Sequence, residues 1–124
     1  MSGEPSVYRN AAISYIRIPT TDPARSAAFY ESVFGWAIRG GSDEPAFTDG
    51  SGHTIGHFVT DQKPTATNGI RPYIYTDDLD QTLKAASVAG ATISTPPYRE
   101  GNLTVATIQD PSENVIGLWT QHAQ

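Results

Sequence analysis

The chain has 124 residues, 38% of them hydrophobic and 17% charged, a composition typical of one ordinary globular domain. It contains no cysteine, which excludes disulfides, thiolate nucleophiles and cysteine-based metal sites. Its formal net charge of −5 comes without clusters of lysine and arginine, so we expect no nucleic-acid partner and no membrane partner. The polar start MSGEPSVYRN, and the lack of any run near ~20 apolar residues, predict a cytoplasmic protein.

The first half of the chain predicts a strand, a helix and three short strands. Residues 11–18 alternate β-branched and aromatic side chains, as a strand does. Asp22 suits a helix N-cap and Pro23 the first helical position, so a helix is expected over 24–33 and should end at Gly35. Further strands are predicted at 36–39, 46–49 and 53–60, with a hairpin at Asp49-Gly50-Ser51-Gly52.

The second half repeats this order after a polar linker at 61–69. Asp77 and Asp78 can cap a second helix that runs to Ala89. The strands are predicted at 70–76, 91–95, 103–109 and 114–120, with a loop at 96–101. Because neither half alone buries much apolar area, we predict a single domain over 1–124, built from modules at about 11–60 and 70–121.

Alternation along the predicted strands separates an aliphatic face from an aromatic one. In the first strand, Ile16 and Ile18 point to one side while Tyr15 and Arg17 point to the other. The aliphatic side is expected to lie under the helices. The other side carries aromatic rings and guanidinium groups, which suit a planar or anionic small molecule. The predicted ligand contacts are Tyr15, Arg17, Phe58, Arg71, Tyr73, Tyr75, Tyr98 and Trp119.

Two other interpretations of the aromatic side stay open. These rings can be solvent-facing sheet residues, which strands tolerate, or they can form a dimer interface. Among the histidines, His53 and His122 are expected to be exposed. Strand alternation places His57 on the helix-covered side, whereas a register shifted by one residue would move it to the aromatic side, and both alternatives stay open. Glu100, in the predicted loop, is either solvated or a base at the rim of a cavity.

The run DPARSAAFYESVFGW at 22–36, the paired βαβββ order and the later Asp110-Pro111 before Gly117-Leu118-Trp119 resemble the glyoxalase/bleomycin resistance/dioxygenase superfamily, with its vicinal oxygen chelate fold. The resemblance covers nearly the whole chain and, within the superfamily, is to glyoxalase-like domain proteins without an assigned activity. It implies an α+β fold in which two βαβββ modules form one curled eight-stranded mixed sheet around a cavity, with the helices outside. It also implies a homodimer.

Metal-using members of this superfamily hold the ion with four ligands from four strands. The resemblance places those four positions at Tyr15, Gly56, Arg71 and Gly117. Glycine has no donor side chain and arginine is a permanent cation, so the sequence predicts no metal and no other cofactor. The leading hypothesis is metal-free binding of a small organic ligand, for sequestration or resistance. The alternative is a lyase or dioxygenase-type enzyme, with an unrecognised metal geometry or acid–base work by tyrosine, His57 or Glu100.

Overall fold

Each half of the chain folds into one strand, one helix and three further strands. The structure, a computed structural model, describes residues 7–11, 13–41, 43–64 and 71–121. The chain divides into two compact units between Lys63 and Pro64. No helix in these described ranges is long and apolar enough to cross a membrane. The predicted α+β class is confirmed, whereas a single domain with one curled eight-stranded sheet stays a prediction.

The first unit contains, in chain order, β1 (Tyr15–Pro19), α1 (Pro23–Phe34), β2 (Ala37–Arg39), β3 (Ala46–Thr48) and β4 (Ile55–Val59). Its four strands form a mixed sheet in the order β1-β4-β3-β2, in which only the β1–β4 pair is parallel. The predicted hairpin joins β3 to β4, where the Asp49 carboxylate accepts hydrogen bonds from the backbone N–H groups of Ser51 and Gly52.

The second unit contains β5 (Tyr73–Tyr75), α2 (Leu79–Val88), β6 (Thr92–Glu100), β7 (Leu103–Gln109) and β8 (Val115–Gln121). Its sheet has the order β5-β8-β7-β6, again with only the pair that includes the first strand, β5–β8, parallel. The two units therefore share one connectivity, which is the internal repeat that the order of predicted elements indicates.

The start of each helix is built in the same way. The carboxylates of Asp22 and Asp78 accept hydrogen bonds from the N–H groups three residues later, at 3.2 and 3.1 Å, as N-caps do. Gly35 ends α1 at a φ of 71°, in the left-handed region that glycine adopts without steric cost. Helix starts and ends were accessible to sequence analysis because caps are local features.

An aromatic cluster fills the core of the first unit between α1 and the sheet. The ring of Tyr30 lies 4.8 Å from that of Trp36 and 5.5 Å from that of Phe58, and Phe47 lies 4.7 Å from Trp36. Phe47 and Phe58 are fully buried. The prediction that Phe58 contacts a ligand on the open side is therefore wrong, because its ring packs under α1.

His57 lies on the side of the first sheet opposite to Phe58, since neighbouring strand residues point to opposite sides. The prediction that His57 is covered by the helix is thus also wrong. The sequence of β4 has apolar residues on both sides. Its alternation therefore does not decide which side faces the helix. The side that carries Phe58 faces α1, because the ring of Phe58 packs in the aromatic cluster around Tyr30.

Strand β6 replaces the predicted loop over residues 96–100, and Gly101 lies in the turn that follows. Its pairing with β7 shifts register between Ile93 and Thr95 and again between Thr95 and Tyr98. Pro96 and Pro97 lie in the second irregularity and have no backbone N–H to donate, so this strand can only lie at an edge of the sheet. The irregularity shifts the alternation by one residue, as a β-bulge does.

Candidate functional site

A row of four side chains crosses the second sheet on the side opposite to α2. Cα pairing joins Tyr98 of β6 to Val105 of β7, Val105 to Trp119 of β8, and Trp119 to Tyr75 of β5. Paired residues point to the same side of a sheet, so these side chains are neighbours. The rings of Tyr75 and Trp119 meet edge to face, with their centroids 4.9 Å apart.

This open side of the second sheet, hereafter the aromatic face, holds a pocket of about 320 Å³. Each of the four strands contributes to its lining, which consists of Tyr73, Tyr98, Glu100, Leu103, Val105 and Trp119. Val105 is buried and forms the floor, whereas Tyr73 and Tyr98 are nearly half exposed and form the walls. The pocket is therefore apolar at its base and accessible from solvent.

The shift of register at Pro96-Pro97 places two of the lining residues. Thr95 pairs with Thr107, and a regular alternation would carry residues 97 and 99 to that same side. The irregularity instead brings Tyr98 opposite Val105 and Glu100 opposite Leu103. From Thr95 to Tyr98, β6 advances three residues while β7 advances two, so β6 contains one extra residue here. Without it, Tyr98 and Glu100 would point away from Trp119.

Tyr73 forms one wall of the pocket by lying directly on Gly117, its Cα partner across β5 and β8. A Cβ atom added to Gly117 would overlap the ring of Tyr73. Glycine at this place does not open a space for a ligand. It allows an aromatic ring to lie against the strand, in the way that cross-strand aromatic side chains cover glycines in sheets.

Tyr75, one of the tyrosines of the aromatic face, interacts with a carboxylate. A hydrogen bond to the Asp77 carboxylate, with desolvation and the negative charge of Asp77 adding to it, raises the pKa of the Tyr75 hydroxyl above its ordinary value of 10.0. A weaker hydrogen bond to Thr120 acts in the opposite direction. Tyr75 therefore stays a neutral donor throughout the physiological range.

The open side of the first sheet carries a different group of polar side chains. The hydroxyl of Tyr15 and Nδ1 of His57 are hydrogen-bonded at 2.9 Å. His57 is the Cα partner of Arg17 across β1 and β4. Nη2 of Arg17 donates to both carboxylate oxygens of Asp61, at 3.2 and 3.1 Å, which holds the pKa of Arg17 above its ordinary value. The positive charge of Arg17 is thus already paired.

One recurring hydrogen bond shows which positions of the two units correspond. The N–H of Thr20 donates to the carbonyl of Val59, and the N–H of Thr76 donates to the carbonyl of Trp119, both at 2.9 Å. The residues two positions before these acceptors are His57 and Gly117. His57, and not Gly56, is therefore the counterpart in the first unit of Gly117 in the second.

With His57 in place of Gly56, the four positions that the resemblance implies for a metal are Tyr15, His57, Arg71 and Gly117. Arg71 carries a permanent positive charge, and Gly117 has no donor and is covered by Tyr73. In the part of the chain that the structure describes, no three histidine, aspartate or glutamate side chains are grouped to hold an ion. These residues do not fit a four-ligand metal site.

The sequence-predicted ligand contacts thus divide between the two units. Tyr73, Tyr98 and Trp119 line the pocket, and Tyr75 contacts Trp119 beside it. Tyr15 and Arg17 lie on the open side of the first sheet. Arg71 is exposed and precedes β5. Their contact with a ligand stays a prediction.

Three lining residues are absent from the sequence-predicted contacts, namely Glu100, Leu103 and Val105. Strand alternation in β7 could have placed Leu103 and Val105 with Trp119 once the pairing was known. Nothing in the sequence marks the side to which Glu100 points, because the bulge before it decides that side. His122 lies outside the described residues.

Comparison with known proteins agrees with this architecture. The model of the Glyoxalase/Bleomycin resistance protein/Dioxygenase superfamily matches residues 12–118. Two curated relatives, both named "Putative glyoxylase CFP32", come from Mycobacterium bovis and Mycobacterium tuberculosis, and each is 27% identical over 92% of this chain. The chain spans 47% of the length of these relatives.

Solved structures share the fold at low sequence identity. A glyoxalase/bleomycin resistance protein/dioxygenase family enzyme from Burkholderia phytofirmans has a TM-score of 0.77 at 22% identity, covering 90% of this chain and 100% of that one. The fosfomycin resistance protein FosX from Mesorhizobium loti has a TM-score of 0.72 at 17% identity, covering 92% and 95%. TioX from Micromonospora sp. ML1 has a TM-score of 0.66 at 17% identity, covering 90% and 100%.

Proposed function

We propose, on the premise that this chain belongs to the Glyoxalase/Bleomycin resistance protein/Dioxygenase superfamily, that it binds a planar small organic molecule without a metal ion. The observation that carries the proposal is the pocket on the aromatic face, where Tyr73, Tyr98 and Trp119 surround an apolar floor. A role in sequestration or resistance is part of the proposal, and FosX, a fosfomycin resistance protein of the same fold, supports it.

Stacking is the interaction that such a pocket offers. Pairs of aromatic rings gain about 0.5–1.5 kcal/mol beyond the area they bury. Tyr73 and Tyr98 stand at opposite ends of the sheet order, on β5 and β6, with Trp119 between them on β8. A flat aromatic ligand lying over Val105 can stack on these rings, a contact that an aliphatic ligand does not offer. The pocket therefore selects for planar shape.

Isothermal titration calorimetry with planar bicyclic probes, such as quinoline, tests this proposal. Trp119→Ala and Tyr98→Ala are expected to weaken binding about tenfold each, because each removes a stacking surface. Ile93→Ala is the matched control, since Ile93 lies on β6 with an exposure of 45% against 43% for Tyr98, but pairs with Ile108 on the other side. Equal binding by Trp119→Ala and the unchanged protein would exclude this pocket as the site.

The natural ligand can be sought in the purified protein itself. Native mass spectrometry of protein expressed in its own host would report a bound small molecule as a mass difference. Under the proposal that difference disappears in Trp119→Ala and persists in Ile93→Ala. A mass difference that survives Trp119→Ala places the ligand elsewhere.

A second candidate function is an enzyme whose acid–base group is the hydrogen-bonded pair of Tyr15 and His57. A histidine ring and a phenol hydrogen-bonded at 2.9 Å form the kind of pair that general acid–base catalysis uses. Incubation with the ligand identified above should then change the mass of that ligand over time. Tyr15→Phe and His57→Gln would stop this change, and a bound ligand that stays unaltered for hours would exclude it.

The proposal includes a homodimer and a cytoplasmic location. Members of the superfamily often pair, and light scattering of the purified protein measures the mass of the assembly directly. Fractionation of host cells reports the location. A monomer at micromolar concentration, or recovery outside the cytoplasmic fraction, would remove the corresponding part of the proposal.

A further inference from the structure

We infer that the pocket on the aromatic face recognises a planar organic cation, such as an aromatic ring system bearing a charged nitrogen. This inference rests on the proposed function and adds the charge of the ligand. The sequence alone predicts a planar or anionic ligand, because the predicted contacts combine aromatic rings with Arg17 and Arg71. The charge in the lining of the pocket is negative, which favours a cationic ligand over an anionic one.

The lining combines three aromatic rings with one carboxylate. Of the six lining residues, Glu100 carries the only formal charge, and none is lysine or arginine. Aromatic faces are negative at their centres and attract cations, with Trp attracting them most strongly. Glu100 pairs with Leu103 at the β6–β7 hairpin, next to Tyr98 and Val105 along these two strands. A cation above the rings would therefore have a carboxylate at its edge.

No arginine lines the pocket, and Arg99 and Arg17 are directed or paired elsewhere. Arg99 lies between Tyr98 and Glu100, pairs with Thr104, and so points to the other side of β6. Its Nη2 donates to the carbonyl of Gly101 at 3.3 Å. Arg17 belongs to the other unit and is bound to Asp61. Arg71 stands two residues before Tyr73 and does not line the pocket.

The rest of the charge distribution favours a cation as well. The Asp77 carboxylate, which raises the pKa of the Tyr75 hydroxyl, adds a second negative charge beside Tyr75. The whole chain carries a formal charge of −5, which raises the local concentration of cations over that of anions. Nothing in the lining would neutralise a carboxylate or phosphate group of a ligand, so an anion would be bound at an electrostatic cost.

Three planar bicyclic probes of similar size separate charge from shape: the cation N-methylquinolinium, uncharged quinoline at neutral pH, and the anion 1-naphthoate. By titration calorimetry, N-methylquinolinium should bind about tenfold more tightly than quinoline, and 1-naphthoate most weakly. Glu100→Gln should weaken the binding of the cation, because the carboxylate at its edge is lost, while the affinity for quinoline stays unchanged. Of the three probes, only N-methylquinolinium should bind more weakly when salt is added.

Glu113→Gln is the matched control, because it removes the same charge at the β7–β8 turn, at the other end of β7 from Glu100. It should leave all three affinities unchanged. Equal affinity for the three probes, lost in Trp119→Ala, would overturn the cation preference and leave the proposed function standing. Tightest binding of 1-naphthoate would overturn the preference as well. Failure of all three probes to bind would overturn both.

Discussion

The ring of Tyr73 lies directly on the backbone of Gly117, and the two residues are Cα partners across β5 and β8. This contact determines the shape of the pocket. The glycine provides no space for a ligand, because the tyrosine already fills that space, and the ring held there becomes one of the pocket walls. Tyr73 can therefore occupy this place only because residue 117 has no side chain.

Gly117→Ala should lower the free energy of unfolding by about 1–3 kcal/mol, the usual cost of overpacking, and displace Tyr73. In the Tyr73→Ala background the same substitution should cost close to nothing, because the atoms that the new methyl group meets are gone. Urea denaturation of the four proteins of this double-mutant cycle measures the difference. If Gly117→Ala lowers the free energy of unfolding equally in the presence and absence of the Tyr73 ring, this interpretation is wrong.

Gly56→Ala should be the more damaging of the two glycine substitutions, reaching or exceeding about 3 kcal/mol. Its Cβ would overlap the backbone carbonyl of Ile16 as well as the ring of Phe47, which is fully buried. Neither of these groups can move into solvent, whereas Tyr73 can. Urea denaturation compares it with Gly117→Ala, and a milder effect for Gly56→Ala would contradict the packing described for the first unit.

Phe58→Ala should cost about 3–5 kcal/mol, as expected for a large core aromatic side chain. The milder Phe58→Leu, which keeps the protein folded, should leave the affinity for quinoline unchanged, because this ring packs against Tyr30 and Phe47. Thermal unfolding and calorimetry of the two variants provide the measurements. Loss of probe binding by folded Phe58→Leu would restore Phe58 as a ligand contact.

Asp77→Asn should lower the pKa of Tyr75 towards its ordinary value, because the carboxylate that accepts its hydrogen bond is the main cause of the raised pKa. Spectrophotometric titration of the tyrosines, taken as the difference from the same protein carrying Tyr75→Phe, isolates this group. Asp80→Asn, in the first turn of α2, removes an equal charge and should have no such effect.

The raised pKa of Tyr75 also has a consequence for stability at high pH. A hydroxyl that holds its proton more strongly when folded stabilises the protein fully below the pKa of about 10 that tyrosine has when unfolded. This contribution is lost as the pH rises through the higher folded pKa. The alkaline fall in stability should therefore be shallower for Tyr75→Phe than for the unchanged protein, and an equal slope would exclude the linkage.

Much of the fold could be predicted from the sequence because the determining features are local. The carboxylates of Asp22 and Asp78 cap the two helices from within four residues, and Gly35 ends α1 through its own φ. Strand β7 begins at Leu103 and ends at Gln109, as its alternation predicts. Family membership likewise follows from short runs such as 22–36, and the superfamily model confirms it.

By itself, then, the sequence determined the order of elements, the lack of any cysteine chemistry and the superfamily. The tertiary structure alone decided which side chains share the pocket. Which side of β4 faces the helix depends on the aromatic cluster around Tyr30. The side to which Tyr98 and Glu100 point depends on the irregularity at Pro96-Pro97. Both depend on pairing between residues distant in the chain, and a shift of one residue moves a side chain to the other face of a sheet.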